Sequence, residues 1–150
     1  MKKIGVLHLV FVLAFIVSAC SLNKAAITAQ DFSTKATSLG FTVQDATDQM
    51  EGQTVISLIA IDSTESFQIE YHEVETQAQA SSAFLQNQAN LEGIHSGSTT
   101  SLSGVNWAKY TKTAGGAYGF VSYIDNTFVY VRAPKEYKQT IQDFIKELGY

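Results

Sequence analysis

The chain of 150 residues has one cysteine, one proline and one tryptophan, and only 16% of its residues are charged. A lone cysteine excludes an intrachain disulfide and a cluster of thiolate metal ligands, so the fold must stand on its apolar core. One proline, Pro134, and so modest a charge content argue against disorder over the body of the chain. Basic residues are scarce: ten Lys and Arg stand against fourteen Asp and Glu. Nucleic acid wants a basic stripe, so no nucleic-acid partner is expected. Catalytic signatures are missing too. No serine lies in G-x-S-x-G. Gly115-Gly116-Ala117-Tyr118-Gly119 lacks the G-x-G-x-x-G order, and no helix follows it to hold a phosphate. No cofactor is expected.

What is present is most distinctive at the amino terminus. Lys2 and Lys3 precede an apolar run over residues 4–17. That run falls short of the roughly 20 residues that span a bilayer as a helix, so it fits a removable signal better than a permanent span. It ends in Val17-Ser18-Ala19-Cys20, which holds the only cysteine. This tetrapeptide resembles the bacterial lipobox: an aliphatic residue, two small residues, then an obligatory cysteine. The resemblance implies a diacylglyceryl group on the sulfur of Cys20 and cleavage just before it, often with a further acyl chain such as palmitate on the new amino terminus. Two or three chains, at about 0.8 kcal/mol per buried CH₂, make a lasting anchor. Ordinary secretory cleavage after Ala19, or an uncleaved N-terminal anchor, are the other readings of the same residues.

On the lipobox reading residues 1–19 are a removed signal peptide, 20–26 a lipidated end with a short tether, and 27–150 one domain at the outer side of the cell membrane. Loss of Lys2 and Lys3 leaves eight basic and fourteen acidic residues, a net charge near −6. Such a surface does not adhere to anionic headgroups by charge, which leaves the lipid on Cys20 as the link to the membrane.

Periodicity predicts an α+β domain: an antiparallel sheet of five or six strands, with two or three helices mostly on one face. Thr28 caps a first helix, with Asp31 three residues on and Ile27 and Phe32 at the staple positions. Phe41 and Val43 then begin an extended segment. Residues 54–61 and 66–74 read as a hairpin with Ile61 opposite Ser66. This puts Ile56, Leu58, Ala60, Phe67, Ile69 and Tyr71 on the core face, with Ser57, Gln68, Glu70 and His72 on the other. Residues 76–91 read as a helix with a thin apolar stripe of Ala80, Phe84 and Leu91. The Ser/Thr-rich stretch 96–103 is loop or edge strand. Three strands follow, at 105–113, 117–124 and 127–133, joined by Gly115-Gly116 and Asp125-Asn126. Pro134 opens a last helix carrying Ile141, Phe144, Ile145 and Leu148 on one side.

Two constellations carry candidate chemistry. Glu70 and His72 share a strand face about 7 Å apart and suit a metal ion or a shared proton, provided that a third ligand such as His95, Asp62 or Glu65 converges. The bland reading is a solvated strand face. In the last hairpin Val121, Tyr123, Phe128 and Tyr130 fall on one face and Phe120, Ile124, Val129 and Val131 on the other. If the first face is open, with Trp107 or Tyr110 beside it, it suits a peptide, glycan or lipid ligand; if helices cover it, it is core.

The whole resembles the small lipoproteins of Gram-positive bacteria, on the lipobox and, more loosely, on Asp125-Asn126-Thr127 before an apolar strand and the closing Leu-Gly-Tyr. No residue role carries over from them. The expectation is a non-catalytic module that binds a protein or envelope component through a sheet face or strand edge. The alternative is a metal-dependent enzyme or sensor built on Glu70 and His72.

Overall fold

The computed structural model describes residues 22–93 and 96–150, so Cys20, the rest of the lipobox and His95 lie outside the described residues. Seven strands form one antiparallel sheet: β1 (Thr42–Asp45), β2 (Ile56–Ile61), β3 (Gln68–Glu73), β4 (Ser98–Ser103), β5 (Trp107–Ala114), β6 (Ala117–Ile124) and β7 (Thr127–Pro134). Their order is β1-β2-β3-β7-β6-β5-β4, so two meanders meet where β3 pairs with β7. The α+β class stands, with seven strands rather than five or six. The two additional strands are the edges. β1 is four residues long, and β4 is the Ser/Thr stretch, exposed throughout. Neither carries the apolar alternation that marks a strand.

Helices α1 (Ala29–Ser38) and α3 (Lys138–Leu148) pack on one face, and α2 (Gln77–Glu92) on the other. The larger core lies under α1 and α3. There Phe32, Ile141, Phe144 and Leu148 meet Ala60, Ile69, Tyr71, Phe120 and Val131. Phe32 stacks on Tyr71 with ring centroids 5.0 Å apart, and Phe144 meets Phe32 edge-on at 5.9 Å. The Tyr71 hydroxyl donates to the Ile27 carbonyl at 2.9 Å, so its one polar atom is satisfied inside the apolar layer. The smaller core lies under α2, where Ala80, Phe84 and Leu91 face Tyr110, Val121 and Phe128.

Local chemistry sets the element ends. Asp31 N–H donates to Thr28 Oγ1 at 3.1 Å to start α1. Thr76 and Gln79 form a reciprocal capping box at the start of α2. Gly115 and Gly116 take φ of 57° and 81°, the left-handed pair that a two-residue hairpin needs, and so fix Ala114 opposite Ala117. One expectation is corrected. The first hairpin pairs Ile61 with Gln68, not Ser66, because Asp62 ties the loop by accepting from Thr64 N–H and Phe67 N–H. A shift of two residues keeps every side chain on its expected face. Pro134 ends β7 and also opens the last helical run, as expected: it is the N-cap of a 3-10 turn, Lys135–Tyr137, that continues directly into α3. It sits opposite Ala117, at a strand terminus where its missing N–H costs nothing, and α3 begins four residues later.

Residues 22–26, expected as a tether, lie along the domain. Val105 N–H donates to the Leu22 carbonyl at 2.8 Å. Asn106 grips Lys24 from both sides: its Oδ1 accepts from Lys24 N–H at 2.9 Å, and its Nδ2 donates to the Lys24 carbonyl at 2.7 Å.

Gly119 in β6 has a packing role. A Cβ there would stand 2.3 Å from Leu91 Cδ2, and Leu91 is fully buried. The absent side chain is what seats the end of α2 on the sheet. Gly119→Ala is expected to cost about 1–3 kcal/mol by overpacking, although Ala suits a strand better than Gly. Denaturant unfolding checks this in a double-mutant cycle. With Leu91→Ala in the background the penalty should largely vanish, and an equal penalty in both backgrounds would refute the contact.

Candidate functional site

The faces of the last hairpin are as the turn dictates: Val121, Tyr123, Phe128 and Tyr130 share one face, under or beside α2. That helix closes the face over β5, β6 and β7. Tyr110 and Phe128 are buried, and Phe84 meets Tyr123 edge-on at 5.6 Å. Tyr123 and Tyr130 keep partial exposure at its margin. Trp107 is not beside them. It pairs with Ile124, points to the α1/α3 face and is 6% exposed, with the Lys24 ammonium 4.5 Å from its ring centroid. The five aromatics therefore do not form one ligand face; three are core and two border the helix.

Beyond α2 the same face continues over β2 and β3. A shallow cleft of about 430 Å³ opens there, lined by Ile61, Gln68, Glu70, Tyr130 and Arg132 among others. Glu70 lines it and His72 lies behind that lining, with Glu70 Oε2 3.4 Å from His72 Nε2. The imidazole stacks on Phe128 at 4.5 Å between centroids and is itself buried. Burial pushes the Glu70 carboxyl up. Hydrogen bonds from His72 and Gln68, with the attraction of His72, outweigh burial and hold its pKa below the usual carboxylate value.

Ser57 faces His72 across the strands. Both backbone groups of Ser57 turn away from β3: its N–H donates to Thr47 Oγ1 at 3.0 Å, and its carbonyl accepts from Ala46 N–H at 2.8 Å. The Ser57–His72 pair is therefore a non-hydrogen-bonded one, in which side chains stand closest. Serine, imidazole and carboxylate thus line up in the order that a nucleophile, base and orienting acid would take. The geometry argues against that use. Ser57 is 1% exposed, so no substrate carbonyl reaches it, and Ser57 Oγ and His72 Nδ1 have no hydrogen-bond partner among the described residues. Sequence reasoning set Ser57 on the face of Glu70 and His72, and its register put Ser57 opposite Glu70; the two-residue shift of β2 on β3 brings it opposite His72 instead.

A metal needs more than two side chains. Among the described residues no group of three His, Cys, Asp or Glu converges. Asp62 spends its oxygens on its own loop, accepting from Thr64 and Phe67.

The remaining feature is the sheet edge. β4 ends the strand order, and all six of its residues, Ser-Thr-Thr-Ser-Leu-Ser, are exposed. Edge strands are usually blunted by lysine, proline or a bulge, and β4 has no lysine or proline and pairs with β5 without interruption. The opposite edge, β1, is shorter and ends in Asp45.

Two measurements test this description. Ser57→Ala removes a buried hydroxyl without a partner and should raise the unfolding free energy by roughly 1 kcal/mol; a loss of that size would mean the hydroxyl is bonded after all. The lowered Glu70 pKa contributes stability that is present above the unfolded carboxyl value of about 4.3 and is lost as pH falls through the lower folded value. Glu70→Gln should therefore be less stable than wild type at neutral pH and converge with it in acid; parallel stability curves down to strong acid would contradict the assignment. A comparison with known protein families, curated proteins and solved structures finds no match for this chain.

Proposed function

We propose that this protein is a membrane-anchored, extracytoplasmic lipoprotein that acts as a non-catalytic binding module at the cell envelope, taking an extended segment of a partner along β4. The observation that carries the reading is the edge itself: six exposed, uncharged residues with unspent backbone donors and acceptors on their outer side. An added strand would gain main-chain hydrogen bonds for affinity, and the alternating Ser, Thr and Leu side chains would supply selectivity. The sheet face favoured as an alternative docking surface is occupied by α2 over its aromatic part. The anchor rests on the lipobox at Cys20 and on the short charged and apolar leader before it.

The second reading, a metal-dependent enzyme or sensor, has the Glu70–His72 contact of 3.4 Å in its favour. It would need a third ligand from outside the described residues or from a partner. Added zinc that raises the thermal midpoint of wild type, but not of Glu70→Gln, would favour it.

The binding reading is tested by placing a photo-crosslinking residue at Thr100 of the full lipidated chain and irradiating native membranes. A defined adduct is expected, and it should be lost when Thr99→Lys and Ser101→Lys put two charges on the edge. Both positions are exposed, so folding stability should stay within about 0.5 kcal/mol. An adduct that survives the lysines, or one obtained from Tyr130 and never from β4, would move the partner elsewhere.

A further inference from the structure

Three of the most exposed large apolar side chains belong to one corner of the molecule. Leu102 is the last residue but one of β4, Val105 lies in the turn to β5, and Leu22 is hydrogen-bonded to that turn through Val105 N–H. They are 52%, 67% and 72% exposed. Nothing in the fold calls for them to be apolar, and polar side chains at these places would leave the core untouched. Their position in the chain is what gives them meaning. Leu22 follows Cys20 by two residues, and an extended chain covers at most about 3.5 Å per residue, so the Leu22 Cα lies within roughly 7 Å of the Cα of the lipid-bearing cysteine.

We propose that Leu22, Leu102 and Val105 form an apolar foot that enters the headgroup layer of the membrane and fixes the orientation of the domain on it. The proposal rests on the reading of Cys20 as lipidated. Acyl chains on that cysteine hold its backbone at headgroup level, and the docked segment after it cannot swing the domain away. Asn106 grips Lys24 on both backbone groups, while the Lys24 ammonium donates to the Gly149 carbonyl at 3.2 Å. Segment and turn therefore move as one body. Interfacial contacts of this kind bury aliphatic side chains a few ångströms deep and leave polar neighbours wet, which fits the surrounding Asn23, Ser103 and Asn106.

The only tryptophan of the chain reports on this corner. A Cβ on Gly104 would stand 2.2 Å from the indole nitrogen of Trp107 and 2.7 Å from the Leu22 carbonyl oxygen, so the ring edge lies directly behind the foot. The test uses the full lipidated protein in vesicles whose acyl chains carry bromine near the glycerol end. Trp107 emission should be quenched there, and quenched less when the bromine sits at the chain terminus. Leu22→Ser, Leu102→Ser and Val105→Ser together should abolish the quenching while the protein stays palmitate-labelled and vesicle-bound. The single change Val105→Asp, at an exposed turn residue, should reduce it in the same direction. Equal quenching in wild type and both variants, or no quenching of vesicle-bound wild type, would overturn the foot while leaving the anchor intact. Failure of the anchor reading has a different signature: a chain that takes up no palmitate and floats free of vesicles even with its leader processed.

Discussion

The pairing of β3 with β7 holds this molecule together. It joins residues 69–73 to residues 127–131, and among the described residues it is the only strand contact between the amino-terminal meander and the carboxyl-terminal one. Each meander alone is a three- or four-stranded ribbon. Side by side they make a surface wide enough for α1 and α3 to cover as a single layer, with Tyr71 and Val129 opposite each other beneath it. Long-range pairing of this sort pays its loop-closure entropy before it returns contact energy, so something must hold the junction in register. Asn126 does so at one end. Its carbonyl accepts from Val74 N–H at 2.9 Å and its Nδ2 donates to the Val74 carbonyl, also at 2.9 Å. The residue that makes the tight turn between β6 and β7 is thus also the clasp at the end of β3.

The same junction explains where α2 goes. The chain leaves β3 beside the last hairpin and must return to the far edge to begin β4. With α1 and α3 on one face, the crossing runs over the other. The helix that makes it has a narrow apolar stripe because it needs to cover only β5, β6 and β7. What it leaves uncovered, over β2 and β3, is the cleft with Glu70 and Tyr130 at its margin. The polar half of the face and the weak amphipathicity of α2 are two consequences of one route.

Much of this was readable before any coordinates. Period-two alternation assigned the faces of both main hairpins, and the caps at Thr28 and the glycine pair at 115–116 marked boundaries correctly. The edge strands were legible only in part: 96–103 read as loop or edge strand and Phe41 and Val43 as the start of an extended segment, since a strand that packs on little carries little pattern. The side on which each helix packs was equally hidden, because an amphipathic helix records that it has a partner and not which face of the sheet that partner shows. Trp107 is a different case. The two-residue turn after Ala114 sets Ala114 against Ala117, and counting back along the ladder brings Trp107 to Ile124 on the buried face. The signal was present, and only the register had to be carried seven residues further.

The ends of the domain are tied together by cations rather than by packing alone. Lys24 donates to the Gly149 carbonyl, Lys109 to the Tyr150 carbonyl at 3.1 Å, and Lys35 to the Glu147 carbonyl. The last turn of a helix leaves its carbonyls unpaired and carries partial negative charge, so three ammonium groups from three other elements complete α3. Burial, and for Lys24 also the nearby Lys109, lowers the pKa of Lys24 and Lys109 from the ordinary lysine value, which is the cost of bringing them there. That cost is accepted at the point where the amino-terminal segment meets the rest of the fold. A domain loosely joined to that segment would have no use for such a lock. If the chain is anchored through Cys20 as proposed, the lock is what holds β4 in one attitude.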